Sequence, residues 1–306
     1  MGLIWGIDLG GTKIEGVILD PAQAFAPICR LRHPTEKAQG YLHIVERIAL
    51  LLQKMTAETG HAPTALGIGT PGTLDPSTQT LKNSNTVCLN GKPLKKDLEA
   101  RLGIPITMAN DANCFALAET KMGIVAEAYP EAKVVFGVIM GTGVGGGIVI
   151  QGQILQGRHG IGGEWGHNFL DESGGPCYCG KVGCVETILA GPASERFYHG
   201  LTGEKTKLKT IVSRHESGAD PYATQTVERL LHFFGKGLAT IVNILDPDVI
   251  VLGGGVGNVD LLYTEGVREI EKHVFNPRME TAVLRPRLGD SAGVFGAALL
   301  VATSHE

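Results

Sequence analysis

An apolar strand, a glycine turn and a second apolar strand open the chain, and the same arrangement returns near its middle. Residues 3–9 (LIWGIDL) lead through Gly10, Gly11, Thr12 and Lys13 into IEGVIL, and VVFGVIM at 134–140 leads through a glycine-rich turn into GGGIVI at 145–150. Two strand hairpins built alike direct the chain towards two related α/β units with mixed sheets. The chain holds 43 glycines, and they gather at 6–13, 67–72, 141–147, 157–166 and 253–258, each at the end of an apolar segment. Glycine there lets the backbone turn with positive φ and approach a ligand, so several loops are expected to converge on a bound molecule.

Apolar periodicity predicts helices near 41–58, 94–102, 112–122, 222–244, 260–273 and 291–302, and strands near 65–69, 105–108, 248–254 and 281–284. The expected division is a smaller domain of 1–118 plus 290–306 and a larger one of 119–289, with a cleft between them. At 306 residues the chain is long enough for two cores. A net charge of −4 without a basic block argues against a nucleic-acid partner. No apolar run approaches the ~20 residues that span a bilayer, and the reading is a cytoplasmic protein without membrane contact. In that reducing setting the six cysteines are expected as thiols, with Cys29, Cys88 and Cys114 in or near the cores.

Three of the cysteines belong together. Cys177, Cys179 and Cys184 form C-x-C-x4-C with His167 ten residues upstream, the donor set of a closed, structural Cys3His zinc site. Glu164 and Glu186 flank that loop, 163–186, and a metal would fix them. His167 could ligate through one nitrogen and donate to a ligand through the other.

Three glycine turns are candidates for holding phosphate, each weak alone and stronger as a set in this order. DLGGTK sets Asp8 at a strand end, followed by the amides of Gly10 and Gly11, the Thr12 hydroxyl and the Lys13 cation. The spacing is neither GxGxxG nor GxxxxGK[ST], which removes the Rossmann and P-loop readings. A polar hairpin tip is the plain alternative, and Lys13 could equally extend into solvent. Thr142 and Gly143 form the second turn; Gly254, Gly255 and Asn258 belong to the third. Asp111, in ANDAN between a strand and a helix, suits a general base, or alternatively caps that helix. Asn110 stands beside it.

DLGGTK, GIGTPG, NDAN, GTGVGGG, the E-x-G-H of 164–167, the C-x-C-G-x-x-G-C-x-E of 177–186 and GGGV follow one another as in the ROK-family sugar kinases, which the chain resembles over essentially its whole length. The runs KNSNTVCLNGKPLKKDL, PCYCGKVGCVET and NILDPDVIVLGGGVGNVD are similar to bacterial fructokinases of the manno(fructo)kinase type; Cys88 stands where a bulkier aromatic is expected there. The resemblance implies the two-domain actin/hexokinase/Hsp70-like (ribonuclease H-like) α/β fold with mixed sheets and an interdomain cleft. It implies transfer of the γ-phosphate of ATP, with Mg2+, to the 6-hydroxyl of a hexose, fructose first, with glucose, mannose or an N-acetylated hexosamine as alternatives.

On the same resemblance Asp111 is the base, and Gly72, Asn90, Asn110, Asp111, Glu164, His167 and Glu186 hold the sugar. Asp8, Gly10, Gly11, Thr12, Lys13, Thr142, Gly143, Gly254, Gly255 and Asn258 hold the nucleotide, with Asp8 reaching its metal through water. Zn2+ sits on His167, Cys177, Cys179 and Cys184, and the partner is a second copy in a homodimer. Two other classes stand beside the kinase: a sugar-responsive regulator, which would need a helix-turn-helix before a phosphate strand that here starts at residue 3, and a non-catalytic sugar- or nucleotide-binding module, against which Asp8, Asn110 and Asp111 argue.

Overall fold

The computed structural model describes residues 2–302. They form two compact units, one comprising the chain up to Glu127, Gly147–Gly162 and the segment from Leu288 onward, the other Ala128–Gly146 and Gly163–Arg287. The expected boundaries were 118/119 and 289/290; the return of 147–162 to the first unit has no signal in composition.

The first unit holds strands β1 (Ile4–Leu9), β2 (Lys13–Asp20), β3 (Ala26–Pro34), β4 (Leu66–Thr70), the short β5 (Thr73–Leu74) and β6 (Leu81–Lys82), and β7 (Ile106–Asn110). Its main sheet runs β3-β2-β1-β4-β7. β1 to β3 are antiparallel neighbours, whereas β1, β4 and β7 run parallel with Asp8 opposite Gly69 and Thr70 opposite Asn110. Asp8 and Asn110 therefore stand at the carboxyl ends of parallel strands, where open α/β sheets place their ligands. Helices α1 (Tyr41–Thr59) and α2 (Leu94–Leu102) cover β2, β3 and β7, and α3 (Asp111–Lys121) and the short α4 (Ile124–Ala128) follow β7.

Side chains alternate across β1 and β4. Trp5, Ile7, Leu9, Leu66 and Ile68 enter the core formed with α1 residues Ile44, Ile48 and Met55. Gly6, Gly67 and Gly69 occupy the opposite face, and a Cβ on Gly6 would lie 2.3 Å from the Ala298 nitrogen while one on Gly67 would lie 1.8 Å from the Ala297 carbonyl oxygen. These glycines make room for the last described helix, which packs across β1, β4 and α3. The sequence reading gave the glycines at 67–72 to a ligand; Gly67 and Gly69 instead serve helix packing.

The second unit contains β8 (Val134–Met140) and the start of β9 (Val144–Ile150), whose sheet runs β10-β9-β8-β11-β12 with β10 (Gln153–Ile154), β11 (Val249–Gly253) and β12 (Ala282–Leu284). β8, β11 and β12 are parallel. Helices α5 (Glu186–Leu189), α6 (Gly191–Thr202), α7 (Leu208–Glu216), α8 (Pro221–Leu245) and α9 (Glu265–Glu271) complete it. The predicted helix at 260–273 is a 3-10 turn at Asp260–Tyr263 followed by α9, and α6 and α7 were not foreseen. The packing helix of the first unit is α10 (Ala292–Ala302), apolar on all sides as a buried helix must be. No helix among the described residues is long and apolar enough to cross a membrane.

Candidate functional site

In the first unit the chain leaves β7 at Asn110, whose side chain accepts from the Asn113 amide at 2.8 Å and caps α3. With the cap supplied by Asn110, the Asp111 carboxylate is left one residue inside the helix, bonded at 2.8 Å to the Ala112 amide. The capping alternative for Asp111 therefore passes to its neighbour. Surrounding protein pushes the Asp111 carboxyl above its ordinary value although the side chain reaches solvent; the bond from Ala112 opposes the rise. Asp8 is pushed up to about 6, by desolvation first and then by the Asp111 and Glu15 charges, while Lys13 and Arg32 pull it down. Its carboxylate faces α10 at Gly293, where a Cβ would lie 3.2 Å from Oδ2.

The DLGGTK turn closes with the Gly10 amide on the Lys13 carbonyl at 2.9 Å. Thr12 is exposed, and the Lys13 ammonium lies 3.6 Å from Glu15, a buried carboxylate also held by Arg30 and Arg32. Gly72 has φ of +90°, and a Cβ there would lie 2.5 Å from the Lys82 carbonyl oxygen, so the position demands glycine for its own fold. Asn90 accepts from the Ser84 amide at 2.9 Å and donates to the Ser84 carbonyl at 3.0 Å, closing the 84–90 loop and leaving a second N–H of its carboxamide for another partner. A cavity of about 260 Å3 runs along β7 to Asn110 and Asn113. Facing it, the buried Thr73 Oγ1 and Asn113 Oδ1 have no hydrogen-bond partner among the described residues.

In the second unit the loop after Gly163 is anchored by Trp165, which donates to the Gly145 carbonyl at 3.0 Å and meets Phe136 edge to face. Glu164 precedes it at the start of a 3-10 turn that ends on His167. His167 Nδ1 lies 3.6 Å from Cys177 Sγ, and Cys179 Sγ lies 3.6 Å from Cys184 Sγ. All four donor atoms fall within 4.8 Å of one another. Tetrahedral zinc with bonds near 2.3 Å requires sulfur–sulfur edges of about 3.8 Å, so the donor set fits the ion. Burial pushes the Cys184 thiol up to about 12, with hydrogen bonds to Cys179 and Cys177 adding to it, a setting that a cation among the sulfurs reverses. The remaining nitrogen of His167, Nε2, meets the hydroxyl of the exposed Tyr178 at 3.0 Å, a partner the sequence reading missed although Tyr178 lies inside the cysteine run.

Glu186 begins α5, and its Oε2 accepts from the Val144 amide at 2.9 Å, so it closes the GTGVGGG turn as well as following the cysteines. A Cβ on Gly143 would lie 2.5 Å from the same oxygen. Thr142, Gly255 and Asn258 line a cavity of about 850 Å3 together with Gly191, Glu195 and Lys207. Gly254 lies outside that lining; its φ of +81° and its closeness to Met140 form the turn after β11. The walls from α6 and α7 were missed, though Pro192 at a helix start and the amphipathic KLKTIVSRHE were available signals.

The ROK family profile matches residues 4–304. An N-acetyl-D-glucosamine kinase of Vibrio cholerae is 36% identical over 308 residues, covering 97% of this chain and 99% of the relative. The solved ROK hexokinase of Thermus thermophilus superposes with a TM-score of 0.87 at 33% identity, each chain covered in full. A ROK glucokinase of Streptomyces griseus, solved with glucose and AMPPNP, gives 0.77 at 29% identity over 98% of this chain and 99% of that one. These neighbours carry the actin/hexokinase-like α/β fold. With the profile and the relatives matched nearly end to end, the chain belongs to the ROK family, among its sugar kinases.

Proposed function

We propose that the chain transfers the γ-phosphate of ATP to the 6-hydroxyl of a hexose. The observation that carries this reading is the pair Asp8 and Asp111, two carboxylates near the carboxyl ends of parallel strands of one sheet, both pushed above the usual range. A carboxyl raised towards neutrality suits a general base, and Asp111, freed of capping by Asn110, takes that part. As the sugar oxygen bonds to phosphorus and the bond to the ADP oxygen breaks, Asp111 accepts the hydroxyl proton. Asp8 would hold the hydrated Mg2+ of the nucleotide, and that ion supplies charge neutralisation on the phosphates.

The 850 Å3 cavity beside Thr142, Gly255 and Asn258 has room for the nucleoside. Asn110, Glu164, His167 and Glu186 are assigned to sugar hydroxyls, with Zn2+ on His167, Cys177, Cys179 and Cys184 fixing their loop. Fructose is placed first as acceptor on the wording KNSNTVCLNGKP and PCYCGKVGCVET. The relatives named N-acetyl-D-glucosamine kinases support a second reading with that sugar.

A coupled assay of ADP release across fructose, mannose, glucose and N-acetylglucosamine separates them. One hexose should stimulate turnover, and Asp111→Asn should lower kcat by ~10²–10⁴-fold with sugar affinity nearly unchanged. If no hexose raises ADP release above background, the kinase reading falls.

A further inference from the structure

The first glycine turn has a cation, but it is not the lysine written into its motif. Lys13 stands in DLGGTK, yet its ammonium is drawn to Glu15 at 3.6 Å alongside Arg30 and Arg32. The chain leaving β3 is tied back to the turn twice: the Thr35 amide donates to the Thr12 carbonyl at 2.9 Å and the Thr35 hydroxyl to the Gly10 carbonyl at 2.7 Å. Two residues further on, Lys37 reaches Gly11, where a Cβ would lie 3.7 Å from its Nζ. The same Cβ would lie 3.3 Å from Thr86 Oγ1. Thr86 is 1% exposed and its hydroxyl has no hydrogen-bond partner, while Lys37 makes no ion pair among the described residues. The Cys88 thiol touches the Lys37 carbonyl at 3.9 Å, so the 84–90 loop and the β3–α1 connection meet over the glycines.

A buried hydroxyl lacking a partner beside an unpaired ammonium and a glycine backbone is a seat for an anion with several oxygens. We propose that Lys37 and Thr86, with the Gly10–Gly11 turn, hold the phosphoryl group during its transfer, Lys37 rather than Lys13 supplying the positive charge. This rests on the kinase reading. While the sugar oxygen gains phosphorus and ADP leaves with the electron pair of the broken bond, Lys37 stays protonated and offsets the charge on the equatorial oxygens; Thr86 donates one hydrogen bond.

The test compares full-length wild type with Lys37→Ala, Lys37→Arg, Thr86→Val and Lys13→Ala. Lys37→Ala should lower kcat by roughly ten- to a thousandfold with the hexose KM within about threefold, and Lys37→Arg should restore most of the loss. Lys13→Ala should cost clearly less than Lys37→Ala. Inorganic phosphate, titrated calorimetrically, should bind Lys37→Ala and Thr86→Val at least about tenfold more weakly than wild type.

A Lys37→Ala kcat within twofold of wild type overturns the proposal. So does equal loss in Lys37→Ala and Lys37→Arg accompanied by a lowered Tm, which marks a structural role. If wild type phosphorylates no hexose, the kinase reading fails separately, and phosphate titration decides the anion seat alone: equal affinity in wild type and Lys37→Ala, or no binding to either, overturns it.

Discussion

Asp8 is held in a place that opposes its charge. Its carboxyl ionises near 3.8 in an unfolded chain but only at about 6 in the folded one, so folding is penalised wherever the unfolded group is charged. The sign follows: the penalty is absent below pH 4, grows between pH 4 and 6, and is full above, amounting to at most about 3 kcal/mol. Asp8→Asn should therefore raise the Tm of the nucleotide-free protein at pH 8, leave it unchanged near pH 4, and remove activity at every pH. A melting series across pH checks this, and an equal gain at pH 4 and 8 would show packing rather than charge to be the cause. The residue scale is also where sequence reading was weakest. Spacing in DLGGTK places Lys13 and Asp8 near one turn, but the direction taken by the Lys13 side chain depends on Glu15, whose burial comes from the β2–β3 pairing. Asn90 is a similar case, since spacing gives no sign that its carboxamide also closes its own loop on Ser84.

Elements were legible where apolar residues dominate both their faces or a clear stripe. β8, β11, α1 and α8 were read within a residue or two at each end. β3 was not, because APICRLRHP buries only Cys29 and His33 and sets Arg30 and Arg32 outward, leaving no apolar run to see. At this scale α10 is held by missing side chains: Gly67 meets the Ala297 carbonyl, and Gly296 meets that of Cys114, with a Cβ at 1.8 Å in both cases. Gly67→Ala should destabilise by about 1–3 kcal/mol or more through overpacking, read as a lowered denaturation midpoint, whereas Gly91→Ala, in open space, should act only through its positive φ. The cysteine loop makes a second element-scale prediction. Purified protein should carry one zinc per chain, and its removal should raise the hexose KM together with local hydrogen exchange in 163–186. Active, fully reduced protein without metal would refute the assignment.

For the molecule as a whole, the repeated hairpins pointed to two mixed sheets; each has five strands, and β3 and β10, which complete them, had no signal in the sequence. What composition could not foretell is that the first unit is assembled from three separate stretches of chain. Contacts between β1 and α10 are among the most distant in the sequence, which slows folding and makes it depend on the completed chain. A chain ended at Arg287 should accordingly lose exchange protection in β1 and β4 while β8 and β11 retain theirs; uniform protection in both would contradict the dependence. The face of β1 and β4 that Gly6, Gly67 and Gly69 leave bare has a consequence for synthesis. Those strands leave the ribosome long before α10 has been translated, carrying a shallow backbone groove that nothing yet fills. The nascent chain spends that interval without the helix that covers this face, so β1 and β4 complete their packing only once α10 has been made, and the speed of translation through the later unit sets how long that takes.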